Sequence, residues 1–312
     1  MIEASPTAAT RSVAVVIPTF NHAHFLGDAL DSVMAQTRPA DEIVVVDDGS
    51  TDDPAMVVGR YPKARLLRQE NAGLAAARNY GLASISADYV VFLDADDLLC
   101  PAAISRNLTL FADNPDAGFV YGAYELVDAD RHPLQGPWYM PIGGDPLATL
   151  LRCNAIGMHG TVLYSSGKLR EAGGFDPALR SCEDYDVYLK MAKRFSIASD
   201  DSVIALYRTH ENNMSADPVR MLKMALAVHA RHRPSSAQRF YLEHWKAGCR
   251  DWRRFYADVA IGGRWGADRG SRYVPMLRML RHAPRRMIQR TVMAALRKGR
   301  AGFSKNPRPQ RP

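Results

Sequence analysis

The run Val90-Val91-Phe92-Leu93 passes straight into Asp94-Ala95-Asp96-Asp97, and Leu98, Leu99 and Pro101 close the segment. A short apolar run bounded by polar residues fits a strand buried on both faces, as in the middle of a parallel sheet. That strand ends in carboxylates. In open α/β sheets the ligand crevice lies outside the carboxyl ends of the strands, so Asp94, Asp96 and Asp97 fall where a substrate would bind. Asp94 and Asp96 are two apart, which turns both to one side of an extended chain. Two such anions suit a hard cation: Mg²⁺ or Mn²⁺ takes few protein ligands and completes its sphere with phosphate and water. The same carboxylates also suit a plain N-cap for a following helix.

Other segments repeat the design. Residues 13–17 (VAVVI), 42–46 (EIVVV) and, more weakly, 64–67 read as strands, and residues 24–36 and 73–85 carry the apolar spacing of helices. Strands alternating with helices predict an α/β fold with a mostly parallel central sheet flanked by helices. Each strand then delivers polar residues to one edge: Pro18 and Thr19, Asp47 and Asp48, Asn71, and Asp94 with Asp96. A carboxylate at the second strand end is placed to accept hydrogen bonds from a base or ribose. Neither G-x-G-x-x-G after the first strand nor G-x-x-x-x-G-K-[ST] anywhere is present. A bound diphosphate would therefore be neutralised by a metal rather than by a glycine loop.

Further on, residues 119–127 and 159–164 read as strands and 128–144, rich in Pro and Gly, as a loop. Residues 196–198 and 203–207 read as two short strands. Before them Glu183 and Asp184 open a helix, where the positive dipole end favours carboxylates whether they cap or catalyse. His210 follows a strand end; a lone His serves equally as a satisfied polar residue.

Taken together, VVIPTFN, IVVVDDGSTD, ENAGLAAARNYGL, VVFLDADD, GGFDPALRSCEDYDVYLKMA and YRTHENNMS, in that order over residues 12–215, resemble the inverting family-2 glycosyltransferases of GT-A fold. The resemblance implies transfer of a sugar from a nucleoside-diphosphate sugar, with UDP-sugars favoured. The acceptor it implies is a hydroxyl of a glycan or lipid-linked acceptor in cell-surface polysaccharide or lipopolysaccharide synthesis. It implies that Pro18, Thr19 and one of Asp47 and Asp48 hold the nucleoside, that Asn71 and Arg78 border the donor pocket, and that Asp94 and Ala95 lie at the ribose or sugar. By the same resemblance Asp96 and His210 hold Mn²⁺ or Mg²⁺, Asp184 is the general base, and Glu183 lies on the acceptor side. Two other readings share an acidic strand-end site: a metal-dependent sugar nucleotidyltransferase, which expects a glycine-rich basic loop after the first strand, and a catalytically silent nucleotide- or carbohydrate-binding module.

Charge divides the chain. Of 40 Lys and Arg and 33 Asp and Glu, 23 basic but only 5 acidic residues lie from Ser215 onward. The expected organisation is a disordered tail over residues 1–11, a catalytic domain over 12–215, a basic helical region over 216–298 and a disordered tail over 299–312. Helical spacing recurs at 219–230, 240–259 and 273–296, the last interleaved with arginines. Such a helix lies in an anionic membrane surface or packs on the acidic body. Nucleic acid is not expected, because no stacking aromatics line the basic stretch. With no apolar run of membrane-spanning length and no secretory signal pattern, the chain is expected in the cytoplasm, peripheral to the inner face of the plasma membrane. Its four cysteines are expected to be free thiols.

Overall fold

A computed structural model describes residues 11–211 and 213–262. Nine strands form one sheet: β1 Val13–Thr19, β2 Glu42–Asp47, β3 Ala64–Arg68, β4 Tyr89–Phe92, β5 Leu98–Leu99, β6 Ala117–Val127, β7 Pro133–Trp138, β8 Val162–Ser165 and β9 Ser196–Arg208. The order is β3-β2-β1-β4-β8-β6-β9-β5, with β7 hydrogen-bonded to β6 outside this path. The first four strands of that order are parallel. Beyond β4 the sheet is mixed, since β8 runs antiparallel to β4 and β6 while β6 and β9 are parallel. The α/β class expected from the sequence is therefore present, its parallel character concentrated in β1 to β4.

Two helical layers cover the sheet, and alternate residues of β1 show why. Val13, Val15 and Ile17 point into a core with Leu26, Ala29, Leu30 and Val33 of α1 (Ala23–Met34) and Ile104, Leu108 and Phe111 of the helix Ala103–Asp113. Ala14 and Val16 point the other way, toward Ala75, Ala77 and Leu82 of the helix Leu74–Ser84 and toward Tyr185, Tyr188 and Leu189 of the helix Glu183–Ala192. Period-two alternation on a strand covered on both faces leaves every position apolar. In chain order the helices are α1, α2 Pro54–Val58, α3 Leu74–Ser84, α4 Ala103–Asp113, α5 Pro146–Arg152, α6 Ser166–Glu171, α7 Glu183–Ala192, α8 Pro218–Arg231 and α9 Arg239–Gly262.

Several expectations are corrected. β1 runs through Pro18, which pairs with Val46 of β2. Its missing N–H faces the β4 side, where pairing has already ended at Val16 and Phe92, so no ladder bond is lost. The loop expected over 128–144 contains β7, whose six residues are all exposed at an edge, the place where Pro and Gly are tolerated. The two short strands expected near 196 and 207 are one, β9.

The described part of the basic region is not separate from the rest. Val219, Leu222, Ala225 and Val228 of α8 and Trp252, Tyr256, Ala257 and Ala260 of α9 are buried in the same core as α3 and α7. The packing alternative thus holds for these two helices. The stretch 273–296 and both expected tails, save Arg11, lie outside the described residues. Among the described residues no helix is long and apolar enough to cross a membrane, and all four cysteines are free.

Candidate active site

The carboxyl ends of the parallel strands converge as the register requires. Thr19 lies beside Asp47, and Asp47 beside Arg68. Asp47 accepts a hydrogen bond from Ser50 N at 2.8 Å and faces Arg68 Nε at 3.4 Å. Asp48 instead grips the start of α3: Oδ1 accepts from Gln69 Nε2 and Ala72 N, and Oδ2 from Gly73 N, at 2.7–2.9 Å. Gly49, at φ +81°, lets Asn71 approach so closely that a Cβ there would lie 3.0 Å from Asn71 N. Asn71 is exposed, Pro18 and Ala95 are buried, and the buried Thr19 hydroxyl has no protein partner.

Arg78 ties the two ends of the acidic site together. Its Nη2 donates to Asp94 Oδ1 at 2.7 Å and its Nη1 to Glu183 Oε1 at 2.5 Å, while the residue is only 2% exposed. Sequence reasoning set Arg78 at the border of the donor pocket and Glu183 on the acceptor side. In the structure the two form a buried ion pair. Asp184, the next residue of α7, is raised to about 7: burial is the main cause and the neighbouring Glu183 charge the second, against the opposing pull of Arg78. One oxygen, Oδ1, accepts Tyr185 N–H at 2.7 Å, which leaves Oδ2 for other chemistry.

Asp96 meets two imidazoles. Its Oδ2 lies 2.9 Å from His210 Nε2 and 3.8 Å from His22 Nδ1. Burial pushes its carboxyl up, but the His210 hydrogen bond and the two histidine charges outweigh it and hold the group below the ordinary value. Buried Asp97 is pushed well above that value by burial and by Asp96 and Asp94, and its Oδ1 accepts Arg208 N–H at 2.9 Å. Arg208 fastens the strand that carries His210 to the acidic turn. It donates to Asp96 O, Ala129 O and Asp28 Oδ2 at 2.7–2.8 Å and stacks 4.6 Å from the Phe25 ring centre. Sequence reasoning missed His22, Phe25, Asp28 and Arg208. The only available signals were the His after PTFN and the Arg two before His210.

One further cluster adjoins this assembly, since Arg208 donates to Ala129 O and Arg131 faces Asp28 at 3.2 Å, and one cavity lies apart from it. Asp128, Asp130 and His132 offer ligand atoms within 4.8 Å of one another. They are a turn between β6 and β7, in which Asp128 Oδ1 accepts the N–H groups of Asp130 and His132. A cavity of about 410 Å³ lies at the opposite ends of β1 and β4. Its Arg11 is paired with Asp88, and its Lys168 and Arg170 donate to main-chain carbonyls.

The strand order and the helices on both faces define a GT-A-type fold. Residues 14–166 match the family described as Glycosyl transferase family 2, and this part of the chain belongs to that family. An uncharacterized glycosyltransferase of Rickettsia felis is 32% identical over 212 residues, 65% of this chain and 35% of that protein. The chain spans between 30% and 64% of the length of the curated rickettsial relatives it matches. Mannosyltransferase PcManGT from Pyrobaculum calidifontis, in complex with GDP-Man and Mn²⁺, superposes with a TM-score of 0.62 at 20% identity, covering 94% of this chain and 87% of that one. S. aureus TarS 1–349 with UDP-GlcNAc gives 0.60 at 17% identity, over 88% and 82% of the two chains. At these identities the structural likeness concerns the fold.

Proposed function

We propose that this chain is an inverting glycosyltransferase that moves a sugar from a nucleoside-diphosphate sugar, with a UDP-sugar as first choice, to a hydroxyl of a glycan or lipid-linked acceptor. The observation that carries the reading is the Asp94–Arg78–Glu183 link, which sets Asp184, with its raised pKa, beside the acidic strand end. A carboxyl titrating near 7 suits a general base at neutral pH. Asp184 Oδ2 takes the proton of the acceptor hydroxyl as that oxygen bonds to the anomeric carbon and the bond to the diphosphate breaks on the opposite face. Arg78 keeps Asp94 and Glu183 in place as Asp184 changes charge. Thr19 and Asp47 are the candidate contacts for the nucleoside, since Asp48 already accepts three hydrogen bonds from the loop before α3.

Asp96 and His210 are a carboxylate and an imidazole on one small volume, a donor set that fits Mn²⁺ or Mg²⁺. Such an ion, when bound, offsets the charge of the departing diphosphate. The nucleotide-sugar complexes of TarS and PcManGT, the latter with Mn²⁺, support both the donor class and the metal. An anionic membrane surface is the proposed partner of the basic residues beyond the described helices, where a lipid-linked acceptor would reside.

Thermal shifts with UDP, GDP and dTDP, each with and without Mn²⁺, test the reading. A ligand at 100 times its dissociation constant adds about 2.7 kcal/mol to stability. One nucleotide should stabilise the protein, and more so with the metal. If none did under any condition, the donor site would be lost. Release of UDP from a UDP-sugar on adding an acceptor separates a transferase from a silent binding module.

A further inference from the structure

The loop that leads into α7 carries a cation that the reaction described so far does not use. Arg180 precedes the Glu183-Asp184 pair, and its guanidinium rests on the start of α3. Nη1 is 2.7 Å from the place a Cβ on Gly73 would occupy and 3.4 Å from Ala72 O. Only a glycine leaves that room. Gly73 and Arg78 are five residues apart, about 7.5 Å along a helix axis, so the Arg180 and Glu183 side chains meet α3 about a turn and a half apart.

A neighbour fixes this loop. Arg220 of α8 donates from Nη2 to Arg180 O at 3.1 Å, while its own N–H is held by the capping carboxylate of Asp217. Both arginines are exposed, and among the described residues neither forms an ion pair. Other cations of these elements do: Arg78 with Asp94 and Glu183, Lys190 with Asp186, and Arg231 with Asp176. A guanidinium carries five N–H donors, and Arg180 and Arg220 have one main-chain oxygen each as acceptor.

Placement decides what these charges meet. In an inverting displacement the acceptor arrives from the side of the base, opposite the departing diphosphate. Arg180 stands on the loop that ends at Asp184, and Arg220 on α8, which shares its core with α7. An exposed guanidinium without a carboxylate, on a main chain held in place, suits an oxyanion bound by two parallel N–H bonds.

We propose that Arg180, steadied by Arg220, binds a phosphate or carboxylate group of the acceptor, which makes the acceptor a negatively charged glycan. This rests on the reading of Asp184 as the base of a glycosyl transfer. Arg180 selects the acceptor and does not hold the donor.

The test is calorimetric titration of the full chain, saturated with Mn²⁺ and whichever of UDP, GDP and dTDP it binds. The probes are a glucuronate-containing oligosaccharide, a phosphodiester-linked glycerol oligomer and uncharged maltotetraose. An anionic probe should bind about tenfold or more tighter than maltotetraose, and which one does so identifies the source of the oxyanion. Arg180→Ala should weaken that probe by about 10- to 100-fold, the range of a hydrogen bond to a charged group, and change maltotetraose by less than about twofold. Arg180→Lys keeps the charge but not the fork and should fall between. Nucleotide affinity should stay within about twofold in both variants, and circular dichroism melts confirm that they are folded. An equal loss for charged and uncharged probes would reduce Arg180 to a tie between its loop and α3, and a parallel loss of nucleotide affinity would place it on the donor. Equal binding of all three probes by wild type, or binding of none, would leave the acceptor without a recognised charge. Each of these results overturns the proposal. Wild type that bound none of the three nucleotides would instead overturn the transferase reading, and this proposal with it.

Discussion

Asp184 and Arg78 make opposite demands on one small volume. A carboxyl raised to about 7 is a base only above that pH, so kcat/KM should fall about tenfold per unit as pH drops below it. Asp184→Asn should lower turnover by roughly 10²–10⁴-fold while UDP binding persists, and a wild-type rate would remove Asp184 from the chemistry. Stability gives an independent reading. The folded pKa lies above the unfolded value of about 3.9, so the protonated side chain stabilises the fold below that pH, and the benefit is lost as pH rises through about 7. Melting curves should therefore show Asp184→Asn gaining on wild type between pH 4 and pH 8; a constant gap would contradict the raised pKa. Arg78→Met leaves Asp94 and Glu183 without their buried partner and should cost about 3–5 kcal/mol in urea denaturation. A loss under about 1 kcal/mol would mean that solvent already screens the pair. At this scale the sequence names residue types in order, Asp94, Asp96, Asp184 and His210, and the structure sets Asp96 against His210 and ties Asp94 through Arg78 to the start of the helix that carries Asp184. The sequence was silent where a partner sits far away in the chain, because nothing near Arg78 announces Glu183, 105 residues on.

At the level of elements, α3 positions Arg78 by lying close on β1. Gly81 makes this possible, because a Cβ added there would overlap Val16 and crowd Val46. Gly81→Ala, which in an open helix would gain up to about 1 kcal/mol, should instead cost about 1–3 kcal/mol by overpacking. Combining it with Val16→Ala should be less damaging than the sum of the two, since the pair shares one contact. Additivity in a denaturation cycle would show that the helix simply shifts outward. Buried strands with alternating faces and amphipathic helices such as α1 were readable because burial imposes a period on the chain. The helices α4 and α5 and the strand β7 were not. β7 is an exposed edge with Pro133, Gly136 and Pro137, so neither propensity nor alternation marks it. α5 did carry a usable sign in Asp145-Pro146, a capping carboxylate followed by a proline that is free to lack its N–H. The same pair begins α8 at Asp217-Pro218.

The whole molecule divides by charge at a different place from where it divides by packing. Helices α8 and α9 complete the core, so a chain ending at Ser215 would expose Leu151, Tyr185 and Leu189 and should aggregate or bind hydrophobic dyes. Residues 263–312 carry 14 Lys and Arg against one Asp, whereas residues 1–262 carry 26 against 32. Removing the last stretch therefore changes the net charge from +7 to −6 without touching any buried residue described in the fold. If those cations hold the enzyme at an anionic bilayer, each contributes about 1 kcal/mol near the surface. The full chain should sediment with phosphatidylserine vesicles at low ionic strength and be released as salt shortens the screening length from about 30 Å at 0.01 M to about 8 Å at 0.15 M. A chain ending at Gly262 should melt at the same temperature, bind UDP and Mn²⁺ as before, and stay in the supernatant. Equal sedimentation of the two chains would place the membrane contact on the folded body, and no sedimentation of the full chain would leave its basic end without a lipid partner. The outcome bears on the acceptor as well: an enzyme held at the bilayer meets a lipid-linked hydroxyl by diffusion in the plane of the membrane, so its rate on a lipid-linked acceptor should fall on truncation while its rate on a soluble glycan does not.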